Sequence, residues 1–299
     1  MSKKDPRDMI GYGPKDLKIK WPNNARIAVQ IVLNYEEGAE NCVLNGDNKS
    51  EVFLSEIIGA QPVKGRHMNM ESLYEYGSRV GFWRLHKLFQ EKSIPITVFG
   101  VGMALEKNPE VCKAIIDANY EVASHGWKWI DYQNVKRSEE KKHMNLAIKA
   151  HTKIFGTRPE GWYTGRCSPN TRDLVMEDGG FLYDSDSYSD DLPYWETRNK
   201  KKQLIIPYTL DNNDMRFTTN QGFNIGDHFF SYLKDSFDAL YEEGEVNPKM
   251  MSVGLHCRLI GKPGRIQSLK KFLDYILKHE DVWICKRIDI AKHWIKNYS

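Results

Sequence analysis

Arg26-Ile27-Ala28-Val29-Gln30-Ile31-Val32-Leu33-Asn34-Tyr35-Glu36-Glu37-Gly38 decides the fold. Its first half is apolar and rich in β-branched residues, which suits a strand. Its second half places two adjacent carboxylates and a glycine at the strand's C-terminal end. α/β barrels carry their chemistry at that end. The run therefore predicts both a scaffold and the location of its site.

Outward from this run, strand-like and helical segments alternate. A helix is expected over Met70 to Lys92, where Leu73, Tyr76, Val80, Leu88 and Phe89 fall near one face. Further strands are expected at Ile94–Gly100, Tyr120–Ser124, Glu160–Thr164, Phe181–Asp184, Leu204–Ile206, Met250–Leu255 and Val282–Ile284. Helices are expected at Pro109–Asn119, Ser138–Phe155 and Asn170–Glu177, with another after the last strand. Regular β-then-α alternation implies a parallel sheet. Seven or eight such units, with no GxGxxG loop, point to an α/β fold closed or nearly closed as a barrel rather than doubly wound. The chain is expected to form one catalytic domain over 1–299, with an N-terminal extension over 1–25. A long polar loop over 37–70 reads as functional or as an interface arm.

Composition narrows the class. The 299 residues carry a net charge of +3, too balanced for a dedicated nucleic-acid or membrane-surface binder. Lys200-Lys201-Lys202 reads as a solvated loop. Cys42, Cys112, Cys167, Cys257 and Cys285 are odd in number and have no CxxC spacing, which suggests free thiols. The start, Met1 to Asp8, lacks the apolar core of a signal peptide, and no apolar run is long enough to span a bilayer. A cytoplasmic protein acting on a small molecule is expected.

Three strand ends carry polar residues that would share a barrel's mouth. The first presents Glu36 and Glu37. The third leads into Ser124-His125-Gly126-Trp127-Lys128-Trp129, and the seventh ends in Gly254-Leu255-His256-Cys257-Arg258. A carboxylate that deprotonates water and a histidine that protonates a leaving nitrogen suffice to hydrolyse an amide. Adjacent like charges would separate the two glutamate pKa values.

Leu33-Asn34-Tyr35-Glu36-Glu37-Gly38 resembles the first motif of the polysaccharide deacetylases, commonly Leu-Thr-Phe-Asp-Asp-Gly, with both aspartates replaced. Glu121-Val122-Ala123-Ser124-His125 is similar to the second motif, which continues His-Thr-x-x-His; Trp129 stands at the second histidine. Gly156-Thr157-Arg158-Pro159 with Trp162-Tyr163-Thr164-Gly165-Arg166 resembles the third motif region. Tyr163 stands at the family's arginine, and Arg166 follows three residues later. Tyr183-Asp184-Ser185-Asp186 and Leu255-His256 resemble the fourth and fifth. The resemblance runs from about Arg26 to the C-terminus in family order. It implies a deformed (β/α) barrel of seven or eight parallel strands.

The family's metal is held by one aspartate and two histidines. A longer glutamate and a tryptophan in that set predict a weak site for a divalent metal or none, so no cofactor is expected. With Asp5-Pro6-Arg7-Asp8-Met9-Ile10-Gly11-Tyr12-Gly13, Asp190-Asp191-Leu192-Pro193-Tyr194-Trp195 and Asn213-Asp214-Met215-Arg216-Phe217, the substitutions resemble the cofactor-independent allantoinases of the superfamily. That likeness implies hydrolysis of allantoin to allantoate by a homotetramer. Glu36 would then be the base and His256 the acid, with Glu37 and His125 holding charge and geometry. Arg166, Asn212 and Asp214 would grip the ring's polar edges, and Trp129 would wall the pocket. Two other readings stay open: a metal-dependent N-deacetylase of chitin-like or peptidoglycan-like substrate, and a barrel that only binds.

Overall fold

In the computed structural model, which describes residues 7–15 and 17–298, the opening run forms strand β1 over Ile27–Tyr35, buried at every position. Asp5 and Pro6 of the N-terminal motif lie outside the described residues. Alternation splits β1 into two faces. Ile27, Val29, Ile31, Leu33 and Tyr35 join an apolar layer shared with the helices. Ala28 and Val32 join a second cluster, inside the curved sheet, with Phe99, Tyr163, Tyr183 and Tyr208. Burying each large apolar side chain contributes about 1.5–3 kcal/mol, so this parity is strongly specified.

After β1 come α1 (Met68–Tyr76), α2 (Phe82–Glu91), β2 (Ile96–Gly100), α3 (Gly102–Lys107), α4 (Pro109–Asp117) and β3 (Glu121–Ser124). Then follow α5 (Arg137–Phe155), β4 (Gly161–Trp162), α6 (Thr171–Asp178), β5 (Tyr183–Asp184), β6 (Tyr194–Arg198) and β7 (Lys201–Ile205). The chain ends with α7 (Gly226–Glu243), β8 (Lys249–His256), α8 (Pro263–Ile276), β9 (Val282–Ile284) and α9 (Arg287–Asn297). The sheet order is β6-β7-β5-β4-β3-β2-β1-β8, with β9 beside the first half of β1. Every pairing is parallel except β6 with β7.

The expected strands and helices are therefore present, several of them shortened, and the barrel is a curled, incompletely closed one. Strand β6 is additional. Its residues are half-exposed and polar, so no apolar run marks it. It turns into β7 through Asn199 and Lys200, both at positive φ, the geometry of a two-residue hairpin. The Lys200–Lys202 segment is thus a turn opening a strand, not a loop. Lys201 donates to the carbonyls of Met176 and Glu177, and Lys202 lies 4.2 Å from the Trp195 ring centre. Helices α3, α7 and α8 are also additional; α7 buries Phe229, Leu233 and Phe237 at four-residue spacing.

Strands β6 and β8 do not meet. The segment after β7 crosses the gap, where Gly254 N–H donates to Asn212 O at 2.9 Å. Arg287, fully buried, spans the same opening. It donates to Gln30 of β1, Ser252 of β8, Ser185 after β5, and the carbonyls of Ile206 and Pro207 after β7.

Between α1 and α2 the helix widens into a π segment at Gly77–Gly81. The reason is close approach. A Cβ on Gly77 would lie 2.3 Å from Glu37 Oε1, and one on Gly81 would lie 2.0 Å from the Cys257 carbonyl. Such insertions recur at functional sites. No helix among the described residues is long and apolar enough to cross a membrane.

Candidate active site

Strand parity aims the site. Residues 28 and 32 of β1 face the interior, so Glu36, one step past the strand, faces inward as well, and Glu37 faces the helices. On β3, Ala123 faces inward, which carries His125 the same way. On β8, Met250 faces inward, which carries His256 the same way, and Arg258 follows in the turn after the strand. Four polar side chains from the ends of β1, β3 and β8 converge as a result.

Glu36 lies at their centre, 1 % exposed. Its Oε1 is 3.3 Å from His125 Nε2 and 3.4 Å from His256 Nε2. Its Oε2 accepts from Arg258 Nη1 at 2.7 Å. Burial alone would raise the Glu36 carboxyl, but Arg258, His256 and the imidazole hydrogen bonds hold it well below the usual carboxylate range. Glu37 moves the other way. Burial, reinforced by the Glu36 charge, pushes it up against the pull of Arg258. Its Oε2 accepts the Glu36 backbone N–H at 3.0 Å, and it borders a cavity of about 260 Å³ shared with Glu40, Ser78 and Lys107. Glu37 thus stands between the centre and the helix layer rather than beside Glu36 in the interior.

The two histidines differ in what stands behind them. His256 Nδ1 is 2.6 Å from Asp214 Oδ1. Asp214 Oδ2 accepts the backbone N–H groups of His256 at 2.8 Å and Ile260 at 3.0 Å. Burial alone would lower His256; Glu36 and Asp214 overcome it and push the imidazole up to about 9. It is a cation, with Nε2–H aimed at Glu36. His125 has no such support: its Nδ1 is buried without a partner, and its ring packs near Phe99 and Tyr163. His125 is therefore anchored to Glu36 through Nε2 alone.

The residues assigned to substrate contact are distributed differently from expectation. Asp214 is fully buried, with both oxygens engaged by His256 and Ile260, so it orients His256 instead of gripping a ring edge. Asn212 is buried beside β8 with Oδ1 unpartnered. Arg166 pairs with Glu51 at 3.0 Å and lies 4.9 Å from the Trp129 ring centre. Trp129 stacks on Phe53, with ring centres 5.9 Å apart. Glu51 and Phe53 belong to the long segment after β1, which covers the site. Its Leu54 carbonyl accepts from Arg258 Nε at 3.1 Å.

Sequence reading gave no role to Arg258 or Glu51. Arg258 carried a usable signal, a cation two residues past His256 at the same strand end. Glu51 carried none, because the loop around it has no periodicity.

The metal expected of a deacetylase-type site does not fit these residues. Trp129 offers no lone pair at the second histidine position. The Arg258 guanidinium lies 2.7 Å from Glu36 Oε2 and 3.5 Å from Glu37 Oε1, so a permanent cation already faces both carboxylates. Among the described residues, no group of three His, Cys, Asp or Glu side chains is arranged so that it could hold a metal ion.

Known proteins share this fold and much of this sequence. The family model for polysaccharide deacetylase matches residues 69–177. A Schizosaccharomyces pombe protein named for that family is 43 % identical, with 97 % of each chain covered. A solved Pseudomonas aeruginosa protein named for the same family is 58 % identical, with 98 % of this chain and 99 % of that one covered and a TM-score of 0.96. The solved structure of PuuE allantoinase is 57 % identical, with 99 % of each chain covered and a TM-score of 0.97. With the strand-end motifs in family order, these likenesses place the chain among hydrolases of carbon–nitrogen bonds, and it belongs to the polysaccharide deacetylase family.

Proposed function

We propose that this protein is a metal-independent allantoinase, which opens the hydantoin ring of allantoin to allantoate. The observation that carries the substrate is the 57 % identity to PuuE allantoinase over nearly the whole of both chains. The site chemistry supports the same reading. Glu36, ionised, takes a proton from water as the oxygen attacks the ring carbonyl. The carbon–nitrogen bond then breaks, and the departing nitrogen takes the proton from His256 Nε2. Glu36 Oε1 and His256 Nε2 are 3.4 Å apart, so the proton gained by Glu36 can pass directly to His256 and reset the pair. Glu37 and His125 hold the charge and orientation of Glu36, and Asp214, bonded to His256 Nδ1, keeps the imidazolium oriented with Nε2 toward Glu36. Arg166 and Trp129, with Asn212, form the walls that the ring would meet.

A cytoplasmic location agrees with five free cysteines. A homotetramer agrees with exposed Leu44, Ile58 and Met68 on and beside the long covering segment.

Purified protein dialysed against EDTA is expected to convert allantoin to allantoate at the same rate as untreated protein. If turnover disappears with the metal, and zinc restores activity on an N-acetylglucosamine oligomer, the carbohydrate deacetylase reading replaces this one.

The acid step also sets a pH limit. The His256 pKa is raised, so the useful proton is present at neutral pH and is lost as pH rises through about 9. The profile of kcat/KM should fall above that value. Asp214 contributes to the rise, so Asp214→Asn should move the falling limb toward lower pH. A limb that stays in place would remove His256 as the donor.

A further inference from the structure

Arg258 is held more elaborately than an ion pair requires. Its guanidinium carbon lies 4.2 Å from the Tyr74 ring centre and 5.2 Å from that of Trp129. Nη1 donates to Glu36. The opposite edge of the fork is only half used. Nε donates to the Leu54 carbonyl at 3.1 Å, while Nη2 is buried with no hydrogen-bond partner. The occupant of Nε is itself an amide carbonyl, the functional group that the proposed reaction attacks. It is delivered by a residue in left-handed backbone, Leu54 at φ 49°, which a β-carbon-bearing side chain adopts with strain. An orphaned buried donor beside a strained backbone carbonyl describes a two-pronged site in which the covering segment stands in for a ligand.

We propose that the Nε–Nη2 edge of Arg258 is the subsite for the scissile carbonyl and then for the product carboxylate, so that Arg258 is a catalytic residue of this enzyme. The inference rests on the hydantoin-opening reading above. The Leu54 carbonyl withdraws as substrate enters. Water's oxygen then bonds to the ring carbon, and the carbonyl π pair moves onto oxygen, where Nε–H and Nη2–H receive it. Glu36 takes the water proton. On collapse the carbonyl re-forms, and the nitrogen leaves with the bond pair and the His256 proton. The new carboxyl gives its proton to His256 Nε2 or to solvent water, and its two oxygens match the fork. One planar group thereby spaces the base, on Nη1, from the developing oxyanion, on the other edge. The oxyanion also offsets the guanidinium charge at the moment Glu36 must accept a proton, which strengthens a base that Arg258 otherwise weakens.

Arginine and lysine separate this role from simple charge neutralisation. Arg258→Lys keeps a cation beside Glu36 but cannot offer the planar two-donor edge. Loss of such a donor typically lowers kcat by about 10²–10³-fold, and that loss is expected here with KM changed far less. A variant within threefold of the wild-type kcat would overturn the proposal. The wild type supplies a test that needs no variant. N-carbamoylglycine, a ring-opened hydantoin acid, should bind at least tenfold more tightly by calorimetry than its uncharged amide. Equal affinities, or no binding of the acid, would overturn the subsite. If the wild type ignores allantoin yet binds the acid selectively, the allantoin assignment fails and the Arg258 subsite stands.

Discussion

Glu36→Gln is expected to lower kcat on allantoin by about 10²–10⁴-fold, the range associated with a positioned acid–base group. The glutamine keeps the size of the side chain and an oxygen for Arg258, but it cannot take a proton from water. A second consequence follows from the charge. Glu36 and Asp214 together hold His256 up to about 9, so removing one of them should bring the alkaline limb of any residual activity down. Stability should fall as well, because the buried Arg258 loses the negative charge of its carboxylate partner at 2.7 Å and keeps only the carboxylate of Glu37 at 3.5 Å. A native near-ultraviolet circular dichroism spectrum would separate inactivity from unfolding. A variant that folds and retains more than a tenth of wild-type kcat would remove Glu36 from the role of base.

Arg287→Met should destabilise the fold by about 3–5 kcal/mol, the cost usual for breaking a buried charged network. The methionine fills similar volume, so the loss is polar. It strands the carbonyls of Ile206 and Pro207 and the side chains of Gln30, Ser185 and Ser252, all now served by the guanidinium. Those groups lie on both sides of the gap where the sheet fails to close, so β7 and β8 would lose a shared tie. Arg287 is itself desolvated, and burial pulls its pKa down from the ordinary arginine value. That desolvation makes the net contribution smaller than the number of bonds suggests. Urea denaturation of wild type and variant gives the comparison. A shift below about 1 kcal/mol would mean that the crossing segment closes the barrel without it.

The long-range frame was legible because it follows from local periodicity. The apolar run from Ile27 to Leu33 could only be a buried strand, and every parallel strand gave a recognisable apolar core. The inward direction of Glu36, His125 and His256 is a matter of counting residues in steps of two from Ala28, Ala123 and Met250. Helices α3, α7 and α8 and strand β6 all escaped; β6 and α7 did so for opposite reasons. The first is too polar and exposed to carry an apolar signature. The second follows a turn-rich stretch that hides where its period begins.

The site divides along the same physical line. The sequence by itself determined the sheet, the strand ends that carry the site, and the incomplete metal set, because side-chain alternation and ligand chemistry are local properties. Only the tertiary structure decided that Asp214 backs His256 from 42 residues away. It alone decided that Arg258 faces both carboxylates, and that a loop residue, Leu54, offers its carbonyl to that arginine. Those contacts join segments with no periodic relation to one another, and they form only when the curled sheet, the gap-crossing segment and the covering loop come together.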